Sequence, residues 1–130
     1  MTTTIAAIPR STVVIRLGLA AAAAVAANTL IAVAASALDD GGIGMGLSPA
    51  VYVPATLVGI LAAAAGWALI ARRAPRALRV IVPSALVLSW IPDILLVAAG
   101  ATAANIIGLM LMHTAVASAV VLASRNTRRP

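Results

Sequence analysis

The stretch Leu17–Leu38, LGLAAAAAVAANTLIAVAASAL, runs without a charge from Arg16 to the pair Asp39-Asp40. A helix rises ~1.5 Å per residue, so this run alone crosses a hydrocarbon core ~30 Å thick. Three further runs of the same kind follow. The spans are expected at about 17–38, 49–71, 80–99 and 103–123. Ser48-Pro49 offers an N-cap and a first helical position for the second, and Arg79 opens the third. Only the stretch around Gly100-Ala101-Thr102 separates the third from the fourth, which predicts a tight antiparallel hairpin with Gly100 and Gly108 near helix contacts. The expectation is an all-α fold, one integral membrane bundle of four transmembrane helices occupying residues 1–130.

Composition excludes the alternatives. The chain has 130 residues, 63% hydrophobic and 9% charged, with a mean hydropathy of +1.12. Soluble domains hold ~45–50% apolar and ~25% charged residues. Disorder is excluded by hydrophobicity, and a multidomain enzyme by length. There is no cysteine, which removes disulfides and thiolate metal sites.

The charges set an orientation. All nine basic residues are arginines, grouped as Arg10 and Arg16, then Arg72, Arg73, Arg76 and Arg79, then Arg125, Arg128 and Arg129. A nucleic-acid surface would interleave such residues with aromatic ones, and aromatics are only 2%, so no nucleic-acid partner is expected. Both termini and the second loop hold every arginine, and the first and third loops hold none. By the positive-inside rule the topology is N-in/C-in. The Arg72, Arg73, Arg76 and Arg79 loop is also a contact for anionic lipid. The first loop carries Gly41, Gly42, Gly44 and Gly46 and is expected to be mobile. Ala35-Ser36-Ala37 fits a signal-peptide cleavage site, but the apolar run before it exceeds the usual ~7–15 residues. An uncleaved first helix is expected.

Alanine dominates the spans, and small-xxx-small pairs such as Gly59/Ala63 and Ala104/Gly108 recur. Such pairs allow close helix approach, although an alanine-rich chain makes them by chance.

Four polar groups lie where hydrocarbon penalises them: Asn28, Ser89, Asp93 and His113. Counting ~1.5 Å per residue from the nearest arginine places them ~15–21 Å deep, at similar levels on three helices. An acid at that depth costs ~2.5–3.5 kcal/mol and usually faces the bundle interior. Pro92 precedes it and frees the carbonyl of Leu88, while Ser89 shares its helix face. Asp93 and His113 are therefore expected to face each other's side of the bundle, as an acid–base pair or as interhelical glue. One histidine and no cysteine give no metal site, and no cofactor is expected. Asn28 and Asn105 read as hydrogen-bonding glue. Tyr52 and Trp67 read as interfacial anchors, and Trp90 as packing. No catalytic triad, zinc motif, phosphate loop or dinucleotide fingerprint occurs.

The run Leu88-Ser89-Trp90-Ile91-Pro92-Asp93, followed by Leu111-Met112-His113, is accompanied by Asn28 in an alanine-rich first helix and by Arg72-Arg73-Ala74-Pro75-Arg76. Together they resemble a family of small actinobacterial four-helix membrane proteins, a domain of unknown function. The resemblance covers nearly the whole chain and implies a four-span bundle in a bacterial plasma membrane. It implies no activity. Pro92, Asp93 and His113 are the positions it marks as site residues.

Three function classes follow. The first is an accessory or structural protein of the lipid bilayer, with a membrane-protein partner or as an oligomer. The second is an intramembrane enzyme acting on a lipophilic small molecule through Asp93 and His113. The third is a proton-coupled transporter or channel subunit using the same pair as a relay. A cavity of ~300 Å³ or more lined by the pair favours the enzyme. A wet path from both faces favours transport, and a dry packed centre favours the accessory role.

Overall fold

Residues 10–125 are described by a computed structural model; Arg128 and Arg129, used in the orientation count, lie outside them, as does the side chain of Arg10. The described residues form four long helices: α1 (Arg10–Leu38), α2 (Pro49–Arg73), α3 (Leu78–Leu95) and α4 (Ala103–Arg125). Short 3-10 turns, Pro75–Ala77 and Leu96–Ala99, extend α3 at both ends. Each of the four segments is long and apolar enough to cross a membrane. The protein is an all-α bundle, and its many outward-facing leucine, valine and isoleucine side chains suit lipid rather than water.

The boundaries differ from the hydropathy reading in ways the local chemistry explains. α1 begins at Arg10, not Leu17, because Ser11 to Arg16 are acceptable helix formers and a helix need not stop where hydrocarbon does. α2 starts where Pro49 permits, after an extended Ser48 whose side chain makes no capping bond. The missing Pro49 N–H is one of the orphan donors of a helix start, so the turn needs no other cap. In α3, Pro83 and Pro92 each delete a backbone donor, and the regular helix ends at Leu95. It closes through a Schellman turn at Gly100 (φ 88°), with Ala101 N–H donating to Leu96 O and Gly100 N–H to Val97 O. Gly100 thus makes the turn possible and packs against nothing, contrary to the helix-contact role expected for it.

The core belongs to α1, α2 and α4. One buried cluster joins Ala32 and Ala35 to Leu47, Tyr52 and Met112. A second, towards the arginine-rich end, joins Ala24, Ile60 and Val120. Small α1 residues let α4 lie close: a Cβ on Gly108 would meet Ala35. α3 stands outside this core and buries only Leu78 and Asp93. It leans on α4 and scarcely touches α2. The intimate antiparallel contact of the bundle is therefore between α1 and α4, not within the α3–α4 hairpin.

The glycine-rich first loop is not a free linker. Asp39 accepts hydrogen bonds from Thr102 Oγ1 and, at 2.9 Å, from the Gly44 N–H. Thr102 caps α4, accepting the Asn105 N–H at 3.2 Å. Asn105, fully buried, donates from Nδ2 to the Met45 carbonyl at 2.9 Å, and Leu47 is inserted into the core. These ties override the flexibility that four glycines suggest, since two of them, through Thr102 and Asn105, join the loop to the start of α4.

Candidate functional site

Asp93 reaches the bundle interior because Pro92 and Asp93 fall on different sides of α3: Pro92 is exposed to lipid and Asp93 is only 6% exposed. His113, in the middle of α4, meets it. Nδ1 of His113 lies 3.0 Å from Asp93 Oδ2 and 3.0 Å from the carbonyl of Leu109, one turn back on its own helix. A carbonyl only accepts, so the contact assigns the ring proton to Nδ1. That N–H is spent on the Leu109 carbonyl. Asp93 Oδ2 sits beside the nitrogen off the donor axis and makes no aligned hydrogen bond among the described residues. The pair is close, direct and one hydrogen bond short.

Asp93 is buried, whereas His113 faces open space. The His113 side chain is 42% exposed and lines two cavities. The smaller, about 190 Å³, lies between α2 and α4 and is shared with Asn28, Thr56, Tyr52 and Gly59. The larger, about 310 Å³, lies between α2, α3 and α4 and includes Ser89, Ala63 and Gly66. The glycines and alanine of α2 leave this space unfilled. With Nδ1 engaged, Nε2 is the nitrogen left for a ligand or a proton.

The other sequence-selected residues are placed as follows. Ser89 shares the larger cavity with His113, but its hydroxyl donates to Leu86 O at 2.6 Å, satisfying its own helix. Asn28 is buried in α1 and donates from Nδ2 to Thr56 Oγ1 of α2 at 2.7 Å. It adjoins the smaller cavity with His113 and does not bond to the pair. Its Oδ1 and that of Asn105 have no partner among the described residues. Arg72, Arg73, Arg76 and Arg79 are all exposed, and Arg72 and Arg79 also border cavities at the arginine-rich end. No group of three ligating side chains occurs among the described residues.

Three residues carry more than the sequence suggested. Tyr52 is no interfacial anchor: it is buried, and its hydroxyl donates to Thr29 Oγ1 of α1 at 3.0 Å. Thr56, one turn further along α2, is the partner of Asn28. Its signal was the i, i+4 spacing with Tyr52, which puts two hydroxyls on one face of an apolar helix. Trp90 does more than pack, donating from Nε1 to Met110 O at 3.2 Å and so tying α3 to α4.

Comparison with the models of known protein families, with curated proteins and with solved structures gives no match. The site therefore speaks through its own geometry: a buried carboxylate set behind a half-open imidazole, at the wall of an apolar cleft.

Proposed function

We propose that the protein is a multi-pass accessory protein of a bacterial plasma membrane, in which Asp93 and His113 pin α3 to the bundle. One observation carries this reading. The polar cross-links of α3, Asp93 to His113 and Trp90 to Met110 O, run to α4, while a cavity of about 310 Å³ stands between α3 and α2. An interhelical hydrogen bond such as that of Trp90 contributes ~0.6–2 kcal/mol in membranes, and the close Asp93–His113 pair adds its own attraction. An accessory role implies a membrane-protein partner or a homo-oligomer.

The orientation in this reading is N-in/C-in. Arg16, Arg72, Arg79 and Arg125 border cavities at one end, around Trp67, and Asp39 with Asp40 lies at the other. The likeness of Leu88 to Asp93, Leu111 to His113 and the Arg72–Arg76 loop to the small actinobacterial family supports the same membrane and assigns no chemistry.

Amide exchange in detergent tests the pin. Asp93→Leu should speed exchange along α3 while leaving α1 and α2 protected, and Asp93→Asn should do so less. Unchanged protection of α3 in Asp93→Leu would sink the reading.

A second reading has its own support, the exposure of His113 to a cavity of the size a small ligand needs. There the pair performs acid–base chemistry on a lipophilic small molecule entering between α2 and α3. The Leu109 carbonyl holds the ring, the Asp93 carboxylate beside it favours its protonated form, and Nε2 exchanges the proton. Under this reading Asp93→Asn keeps the fold and abolishes turnover.

A further inference from the structure

The arginine-rich end carries positive charge, and among the described residues no acidic side chain stands there to neutralise it. The three acids are Asp39 and Asp40, at the opposite end, and Asp93, which faces His113. Arg16 shows the consequence most sharply. It is half-buried on α1, and its Nη1 is enclosed with no hydrogen-bond partner among the described residues. A charged donor shut away in this fashion is costly unless something supplies an acceptor.

The space beside it indicates what does. Arg16 and Arg72 line one cavity of about 320 Å³ between α1, α2 and α4, with Trp67 as one wall and Leu17, Ala64 and Ala68 among the apolar residues around it. Two arginines thus border one apolar recess at the arginine-rich end of the bundle. We propose that this cavity binds an anionic glycerophospholipid, its phosphate held by Arg16 and Arg72 and its acyl chains lying along the apolar walls. A guanidinium presents a planar fork of donors that matches two phosphate oxygens, which a point charge does not. Two arginines against one phosphodiester also leave a net positive charge. That surplus favours a lipid with an uncharged alcohol headgroup and repels one whose headgroup ends in a quaternary ammonium. A water-soluble phosphate would leave the apolar walls uncovered.

The test places the purified full-length protein in nanodiscs of equal phosphatidylglycerol and phosphatidylcholine and counts, by native mass spectrometry, the lipids that remain bound. Phosphatidylglycerol should be enriched. Arg16→Gln with Arg72→Gln should lower that enrichment ~20-fold, taking each arginine near a membrane surface as a factor of ~5. Arg73→Gln with Arg76→Gln, which removes the same charge from arginines that do not line this cavity, should change it far less. Arg72→Gln alone should lower it ~5-fold, and it decides the question if the Arg16 variant does not fold. Equal losses in the two double variants would reduce the effect to diffuse surface attraction and overturn the site. So would equal retention of both lipids by the unaltered protein. Excess glycerol 3-phosphate, the headgroup chemistry without tails, should displace nothing; displacement would identify a soluble anion as the occupant and overturn the lipid assignment.

Discussion

Gly108 of α4 faces Ala35 of α1 so closely that a Cβ on the glycine would stand 2.7 Å from the Cβ of the alanine. Atoms do not approach so near, so Gly108→Ala must push the two helices apart. Overpacking of this kind costs ~1–3 kcal/mol. Thermal unfolding in detergent should show the loss, and adding Ala35→Gly should return part of it. An unchanged melting profile in the single variant would mean that the helices have room to spare.

The first loop depends on Thr102, which caps α4 and holds Asp39 at once. Thr102→Ala removes both bonds and should lower stability by ~0.5–2 kcal/mol, the range for a lost cap. It should also make residues 39–48 more accessible to protease than in the unaltered protein. Cleavage at an unaltered rate would show that the latch does not hold the loop.

Asn28 and Thr56 form a buried pair whose members are unequal. Thr56→Val leaves the Asn28 amide without its acceptor, whereas replacing both residues removes the polar groups together. The double variant Asn28→Leu with Thr56→Val should therefore be more stable than Thr56→Val alone. A double-mutant cycle should return a coupling near ~0.6 kcal/mol and no more than ~1.7. Strict additivity would show that the 2.7 Å contact contributes nothing.

Orientation is open to direct labelling, because the chain has no cysteine of its own. Ile43→Cys should react with an impermeant maleimide added outside intact cells, and Arg76→Cys only after permeabilisation. The reverse pattern would invert the topology.

Much of this architecture is legible in single residues. The uncharged runs locate the spans because only ~20 apolar residues satisfy a bilayer. Asp93 and His113 are legible as a pair because a short turn between their helices and a common depth leave little freedom. What cannot be read is azimuth and non-local partnership. Tyr52 at a span end looks like a headgroup anchor, and only the placement of α1 beside α2 turns its hydroxyl towards Thr29. Asp39 and Thr102 are 63 residues apart, so the loop's glycines signal freedom while the ties that cancel it are invisible. Gly108 sits in one small-residue pair among many, and nothing in the sequence says that its neighbour is Ala35 of the first helix rather than a residue of the third.

The contact between α1 and α4 has a consequence for biogenesis. The first helix enters the bilayer long before its closest neighbour has been synthesised, and it carries Asn28 and the alanine face that α4 will cover. A ribosome that has inserted α1, α2 and α3 has made most of the chain and little of the core, since Met112 and Val120 arrive only with the last span. Helix association in membranes follows insertion, so assembly of this bundle waits for α4. Nascent chains truncated before α4 should thus remain loosely associated helices, open to quality-control proteases, and the step that closes the bundle is the docking of α4 onto α1.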